Sequence, residues 1–183
     1  MRKRVTILVV SAVVVAAVVV GVLHFTDGKK AGLPVVGSVI AAAQRPKAPP
    51  ISGTTLTGGR LNVASLRGGV VVINFWGSWC GPCQAEAPVL ARVASDTRRL
   101  GVHFVGIDIR DSPSSGLAFE QQHGISYPSL NDPNDLIAAG FGSAAPATTP
   151  STYILDARGR IAWAYFGRVT YSQLETAIVG VAQ

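Results

Sequence analysis

Two cysteines, Cys80 and Cys83, are the only ones in the chain, and two residues separate them. Cysteines this close cannot link distant segments, so they are not the framework of a disulfide-rich fold. An almost continuous β-branched run, residues 70–75, precedes them, and a helical pattern follows over residues 82–100. The pair is therefore predicted to be a chemical site between a buried strand and the first turn of a helix.

The sequence Cys80-Gly81-Pro82-Cys83 suits thiol chemistry at that place. Unpaired N–H groups and the macrodipole at a helix N-terminus favour negative charge, and the thiolate is the nucleophilic form of cysteine. Pro82 fits an early helical position, since its missing N–H would have no partner there. We predict Cys80 as the attacking thiol and Cys83 as the resolving thiol of a redox-active disulfide that needs no other cofactor.

Metal binding is the competing interpretation of the pair. A structural zinc site needs four ligands, and only His103 and His123 are available to supplement the two cysteines. Neither histidine has the spacing of a zinc finger, so no metal site is predicted.

The N-terminal segment predicts a membrane anchor. Residues 5–25 carry no charge and, as a helix of about 31 Å, would cross a bilayer. Arg2, Lys3 and Arg4 precede them, so the positive-inside rule places the N-terminus in the cytoplasm and the rest of the chain outside. The small-residue run at 41–43 lies far beyond the apolar stretch, which favours an uncleaved signal-anchor over a cleaved signal peptide. Residues 1–27 are thus predicted to be a cytoplasmic stub and a single transmembrane helix.

Composition separates the remainder into two parts. Residues 28–50 are rich in Gly, Ala and Pro and predict an extended linker, and residues 51–183 have the length of one domain. Residues 1–50 account for the whole formal charge of +6, since positive and negative residues balance in the rest. We therefore expect the basic residues to meet lipid headgroups, and we predict no nucleic-acid partner.

The pattern within residues 51–183 predicts an α/β domain with a mixed sheet flanked by helices. Glycine pairs at 58–59 and 68–69 suggest an N-terminal hairpin, and strand, helix and strand up to residue 107 form a βαβ unit. Further elements are predicted as helices at 114–123 and 135–140, a hairpin at 151–156 and 161–166, and a last helix from Ser172 with Glu175 completing its capping box.

Residues 72–83 read VINFWGSWCGPC. This stretch resembles the active-site signature of the thioredoxin superfamily, and most closely its membrane-tethered TlpA/ResA-like branch. Pro88, residues 124–128 and residues 149–152 resemble further family motifs, so the likeness runs from about residue 56 to the C-terminus. It implies a thioredoxin-like fold.

The resemblance also implies how a substrate is held. It implies that the peptide bond before Pro150 is cis and that the backbone of Thr149 pairs with an extended substrate chain. The predicted substrate-binding residues are Thr149 and Pro150 on this basis, together with Trp79, Gly81 and Pro82 beside the sulfur atoms.

Acidic residues near the pair allow more than one interpretation. Thioredoxins carry a buried Asp at the position of Asn74, whereas this chain has Glu86 one helical turn after Cys83. A carboxyl group there would oppose thiolate formation if charged and relay a proton if neutral, so Glu86 is predicted to be catalytic. An exposed helix acid is the alternative. Asp108, Arg110 and Asp111 follow a strand end, where a solvated loop is favoured over a place in the site.

The resemblance implies a thiol–disulfide oxidoreductase, which the N-terminal segment would hold at the cell membrane and which we expect to be a monomer. Its expected role is to reduce disulfides of exported proteins, for instance apocytochrome c during cytochrome c maturation, with electrons from a membrane thiol carrier. An oxidant that forms disulfides in secreted proteins would use the same cysteines and is the alternative. A copper-binding or chaperone protein is less favoured, because Met1 is the only methionine and precedes the anchor.

Overall fold

A computed structural model describes residues 36–183 of the chain. A five-stranded sheet forms its centre, and a two-stranded hairpin precedes that sheet. In chain order the strands are β1 (Ser52–Thr54), β2 (Arg60–Asn62), β3 (Val71–Trp76), β4 (His103–Ile109), β5 (Ser129–Asp132), β6 (Ser151–Leu155) and β7 (Ile161–Phe166). The order in the central sheet is β5-β4-β3-β6-β7, with β3, β4 and β5 parallel and β6 antiparallel to both of its neighbours. The predicted mixed sheet and N-terminal hairpin are confirmed.

In this part of the chain four α-helices accompany the strands: α1 (Gly81–Thr97), α2 (Pro113–His123), α3 (Leu136–Gly140) and α4 (Tyr171–Ala182). Helices α1 and α2 are the crossovers that join the parallel strands, as the predicted βαβ unit requires. Within residues 36–183 none of the helices has the length and apolar character to cross a membrane. The predicted signal-anchor, residues 1–27, lies outside the described residues.

Strand β3 is buried along its whole length, which explains its nearly continuous apolar sequence. Its alternate side chains enter two different cores. Ile73 and Phe75 pack in one core with Tyr153, whereas Val72 faces the core that contains Leu90 of α1 and Leu174 of α4. Because β3 is held from both sides, the end of this strand is a rigid base for the residues that follow it.

The predicted start of the last helix was wrong by one residue, and its cap was wrong by two. Helix α4 begins at Tyr171, with Thr170 as its N-cap. The Thr170 hydroxyl accepts a hydrogen bond from Gln173 N, and Gln173 Oε1 accepts one from Thr170 N. This reciprocal pair is a capping box that stands two residues before the predicted one.

Part of the predicted linker belongs to the folded domain. Residues 37–48, here called the N-terminal strap, run along β7, where Gly37 N and Ile40 N donate to the carbonyls of Ala164 and Ala162 at 2.8 Å each. Ile40 is buried among core residues. The expectation of an extended tether up to residue 50 was therefore wrong for these residues, because one buried isoleucine and backbone pairing hold a segment whose composition is otherwise typical of a linker.

An ion pair fixes the far end of the strap. Arg45 Nη1 lies 3.3 Å from Asp156 Oδ2, with side-chain exposures of only 10% and 6%. Arg160 contacts the same carboxylate oxygen at 2.7 Å. The hydrogen bonds from Arg160 and Arg45 lower the pKa of Asp156 in spite of its burial. Asp156 therefore joins the strap to the β6–β7 turn.

The hairpin is attached to the opposite side of the sheet. Strands β1 and β2 pair in antiparallel fashion, and Gly58 takes a positive φ of 86° in the turn between them. Beyond β1, Thr55 forms a bridge with Leu130, and Leu56 N donates to Ser129 O at 2.9 Å. This contact brings Leu56 beside β5 and close to the chemical site.

Gly106 in β4 admits no side chain. A β-carbon there would collide with Ser129 Oγ and lie 2.6 Å from Trp76 Nε1. We expect Gly106→Ala to lower the free energy of unfolding by about 1–3 kcal/mol, the usual cost of overpacking a core. Guanidinium denaturation of the full chain measures it. Gly140→Ala is the matched control, since its β-carbon would meet only Pro49 Cβ at 3.9 Å; equal effects of the two changes would contradict the steric argument.

Candidate active site

The two cysteines form a disulfide at the N-terminus of α1. Cys80 is the N-cap of the helix, Cys83 lies in its first turn, and their Cα atoms are 5.2 Å apart. Both residues are buried, with exposures of 4% and 2%, whereas Gly81 and Pro82 between them are exposed. The predicted position of the cysteines between a buried strand and a helix is confirmed. The exposed residues Gly81 and Pro82 form a surface beside the sulfur atoms.

The helix terminus supplies a hydrogen bond to the first sulfur. Cys83 N lies 3.2 Å from Cys80 Sγ and points its hydrogen at it. A backbone N–H at a helix N-terminus stabilises negative charge on the atom that it faces. Cys80 is therefore the sulfur at which a thiolate is favoured when the disulfide is opened.

A second loop lies against the same sulfur. The Thr149–Pro150 peptide bond is cis, as the sequence resemblance implied. The carbonyl oxygen of Thr149 lies 3.6 Å from Cys80 Sγ. A chain that reached Cys80 would thus meet the backbone of Thr149 at once.

Glu86 lies inside the domain, one turn after Cys83. Its exposure is 1%, and its two carboxyl oxygens accept hydrogen bonds from Val169 N at 2.6 Å and Asn74 Nδ2 at 3.1 Å. Burial raises the pKa of Glu86 to about 7, although both hydrogen bonds act to lower it. The alternative of an exposed helix acid was wrong. A carboxyl group with this pKa can gain or lose a proton near neutral pH.

Sequence reasoning missed the partners that hold Glu86. Asn74 on β3 also donates to Thr152 Oγ1 on β6 at 3.0 Å, so one amide joins the carboxyl group to a neighbouring strand. Val169 contributes only its backbone, which no sequence motif marks. The one sequence feature that could have indicated this arrangement was Asn74, which stands where thioredoxins carry a buried Asp.

A groove of about 520 Å³ opens beside the disulfide. Trp79 forms one wall with half of its surface exposed, and its Nε1 donates to Ile109 O at 3.2 Å. The guanidinium carbon of Arg110 lies 4.8 Å from the centre of the Trp79 ring, and Arg110 Nε lies 3.3 Å from Asp135 Oδ2. Thr149 lines the same groove, and its carbonyl oxygen lies 3.6 Å from Cys80 Sγ, so the groove borders the cysteine pair through Thr149.

Asp108 in β4 and Asp111 just after it do not form the solvated loop that was favoured, because β4 extends to Ile109. Asp111 Oδ2 accepts a hydrogen bond from Ser78 N at 2.8 Å and so holds the turn that leads to Cys80. Asp108 has no solvent exposure. Both positions follow from the topology, because the carboxyl ends of the parallel strands β3 and β4 meet at one edge of the sheet.

Comparison with known proteins places this arrangement in a family. Residues 45–164, more than half of the chain, match the AhpC/TSA family. The chain belongs to the AhpC/TSA family. Its thioredoxin-like fold, predicted from the sequence, is thereby confirmed.

Three similar proteins indicate which members of the AhpC/TSA family this protein resembles. It is 39% identical over 118 residues to a "Thiol:disulfide interchange protein DsbE homolog" of Paracoccus denitrificans, a match that covers 63% of this chain and only 62% of that protein. It is 28% identical over 129 residues to the "Thiol-disulfide oxidoreductase ResA" of Bacillus thuringiensis, covering 70% and 73% of the two chains. Among solved structures, a "Secreted Thiol-disulfide Isomerase" of Corynebacterium glutamicum superposes with a TM-score of 0.74 at 30% identity, covering 79% and 90%.

The names of these relatives agree with the enzyme class predicted from the sequence, thiol–disulfide oxidoreductase. Within residues 36–183 of this AhpC/TSA protein, no three or more His, Cys, Asp or Glu side chains are grouped so that they would hold a metal ion.

Proposed function

We propose that this protein is an extracytoplasmic thiol–disulfide oxidoreductase that reduces disulfides of exported proteins. The observation that carries the proposal is the placement of Cys80 at a helix N-terminus, 3.6 Å from the backbone of Thr149, with the buried Glu86 one turn beyond Cys83. A nucleophile, a resolving thiol, a substrate-facing backbone and a titrating acid thus share one site.

The reaction begins with both cysteines reduced. The Cys80 thiolate attacks one sulfur of a substrate disulfide, which forms a mixed disulfide and releases the other substrate sulfur as a thiolate. Cys83 then attacks Cys80 Sγ, closes the Cys80–Cys83 disulfide and releases the first substrate sulfur. Two electrons pass to the substrate, which gains two thiols, and a membrane dithiol carrier restores the enzyme by the reverse exchange.

Glu86 serves the second step. The Cys83 thiol must lose its proton before it attacks, and its surroundings are apolar and closed to solvent. With a pKa of about 7, Glu86 is ionised in part of the molecules at neutral pH and can accept that proton. It returns the proton when Cys83 is released as a thiolate during reduction of the enzyme.

Substrate binding is assigned to the surface around Cys80. The backbone of Thr149 pairs with an extended substrate segment, and Pro150 sets the direction of that loop. The exposed Gly81 and Pro82 leave the approach to the sulfur open, and Trp79 offers an apolar face beside it. The adjoining groove accommodates side chains next to the substrate cysteine.

The location and the substrate complete the proposal. The apolar residues 5–25 anchor the chain in the cell membrane with its domain outside, and a solved relative at 30% identity is described as secreted. The resemblance to the TlpA/ResA-like branch, together with relatives named DsbE and ResA, supports apocytochrome c as a substrate. The protein works as a monomer in this proposal.

The reduction potential of the full chain tests the direction of electron flow. Equilibration with glutathione buffers, followed by tryptophan fluorescence, measures it. We expect a potential near or below about −250 mV, which suits an electron donor. A value near about −120 mV would instead identify an oxidant that introduces disulfides into secreted proteins, and the lack of any two-electron couple would contradict both roles.

A further inference from the structure

Asp108 is a buried carboxyl group that the proposed mechanism does not use. It lies on β4 with no solvent exposure, and neither of its oxygens has a hydrogen-bond partner among residues 36–183. A buried acid without partners costs free energy and contributes nothing to the fold. Such exceptions are found chiefly at functional sites.

The fold leaves room for this carboxyl group. Gly116 of α2 faces it, and a β-carbon at position 116 would collide with Asp108 Oδ2. The same β-carbon would lie 2.9 Å from Leu56 Cδ1. Glycine at this helix position therefore makes the space in which Asp108 lies.

Asp108 is joined to the cysteines through one side chain. It is the register partner of Trp76 on β3, and Trp76 packs in one cluster with Cys80 and Cys83. Two residues of sequence separate it from Asp111, which holds the turn before Cys80 through Ser78 N. Negative charge on the sulfur atoms therefore interacts with the Asp108 carboxyl group across a closed, apolar region, where water screens the interaction little.

The groups around Asp108 are acidic or neutral. Burial raises its pKa to about 8, and the charges of Asp111 and of Glu120 on α2 act in the same direction. Strands β3 and β5 place the uncharged Trp76 and Asn131 opposite it.

The remaining charges near this part of the site face elsewhere. Arg110 is paired with Asp135, and Glu86 of α1 faces Asn74 and Val169. No positive group is thus directed at Asp108 within the described residues. Glu120 also lines a surface pocket of about 320 Å³ with Tyr127 and Ser129, so this neighbouring acid lies at the boundary with solvent.

We propose that Asp108 is a second proton-holding group of the active site, and that it binds its proton more tightly when the Cys80–Cys83 disulfide is reduced. The proposal rests on the thiol–disulfide function given above. Asp108 touches neither sulfur. It acts through Trp76 and through its electrostatic interaction with charge on the sulfur atoms, so it is a positioning residue and not a catalytic one.

The proton balance gives the sign of the effect. Reduction by a dithiol carrier converts the disulfide to the Cys80 thiolate and the Cys83 thiol, oxidises the carrier to a disulfide and leaves one proton over. Above pH 8, where Asp108 is ionised in the oxidised protein, the new negative charge drives that proton onto the carboxylate. Reduction then takes up more protons than the sulfur atoms account for, and the excess is largest between the two titration midpoints of Asp108.

A carbon-13 NMR titration of the full chain tests this in the wild-type protein. The side-chain carboxyl resonance of Asp108, assigned by its loss in Asp108→Asn, is followed from pH 5 to 10 in the oxidised and the reduced form. We expect its midpoint to be about one pH unit higher in the reduced form, as a like charge in a buried cluster requires. Identical midpoints would overturn the proposal.

The reduction potential gives an independent readout. For a two-electron couple, each additional proton taken up lowers the midpoint potential by about 30 mV per pH unit. Because a shift of about one pH unit lets Asp108 take up at most about half a proton on reduction, wild type and Asp108→Asn should agree at pH 7. Between about pH 8 and 9 the wild-type potential should fall more steeply, by about 15 mV per pH unit, and above this range it should stay about 30 mV below that of the variant. Asp96→Asn removes an exposed carboxylate from α1 and is the matched control, which should follow the wild-type curve.

The outcomes separate this inference from the proposed function. If the chain has a reversible couple but Asp108→Asn follows the wild-type curve at every pH, the inference is wrong and the proposed function stands. If the chain has no couple, both are wrong.

Discussion

Cys83→Ala should convert the protein into a trap that remains covalently bound to its substrates through Cys80. Without the second thiol the mixed disulfide cannot be resolved inside the molecule, and an external thiol must do it. Oriented intramolecular reactions reach effective concentrations of about 10⁵ M or more, so multiple-turnover reduction should fall by at least about a thousandfold. Non-reducing gel electrophoresis with a disulfide-bonded model substrate measures the complex, and thiol treatment should dissolve it.

The matched control exchanges the other cysteine. Cys80→Ala keeps Cys83, which is 2% exposed and lies inside the first turn of α1, and it should trap almost no substrate. If Cys80→Ala trapped substrate as efficiently as Cys83→Ala, the roles assigned to the two thiols would be wrong. A variant without both cysteines that kept its cellular function would indicate a binding or chaperone role.

Glu86→Gln should make the domain more stable, relative to wild type, as the pH rises from 4.5 to 8. The pKa of Glu86 is raised by burial from 4.5 in the unfolded chain to about 7, so folding favours its neutral form. Its contribution to stability is complete below pH 4.5 and is lost as the pH passes through 7. The difference in free energy of unfolding should therefore shift by about 3 kcal/mol in favour of the variant.

The substitution keeps the local hydrogen bonds. The side-chain oxygen of the new amide can still accept from Val169 N, and reversal of the Asn74 amide lets the Asn74 oxygen accept from the new NH₂ group and from the Thr152 hydroxyl. Guanidinium denaturation of the oxidised full chain at several pH values measures the effect. Glu175→Gln, an exposed acid on α4, should change stability by less than about 0.5 kcal/mol at each pH. A pH-independent difference for Glu86→Gln would show that its proton is held no differently in the folded and unfolded states.

The sequence was sufficient for the features that depend on local pattern and on a specific motif. The strand before Cys80, the helix after it and the parallel pair follow from apolar periodicity and glycine stops. The cis bond before Pro150 was implied by family resemblance alone, since such bonds are a small minority among X–Pro bonds.

The features that failed depend on contacts between distant residues. Whether Glu86 is buried is decided by Asn74 and Val169, which approach it only in the folded chain. Asp108 and Asp111 were expected to be solvated because polar residues after a strand usually are, and the space beside Gly116 cannot be read from the sequence. The pairing of the strap with β7 was not predicted, because Ile40 gives only a weak apolar signal in a segment rich in Gly, Ala and Pro.

The strap has a consequence for association with other chains. The outer strand of a sheet presents free N–H and C=O groups that invite pairing with a foreign strand, and proteins cover them to avoid aggregation. Here the strap occupies β7, and the residues after β1 occupy part of β5. Both outer strands of the sheet therefore offer fewer free backbone groups to a foreign strand. A shortened chain that begins at Ile51 would uncover β7 and should self-associate, even though its cysteine pair is intact.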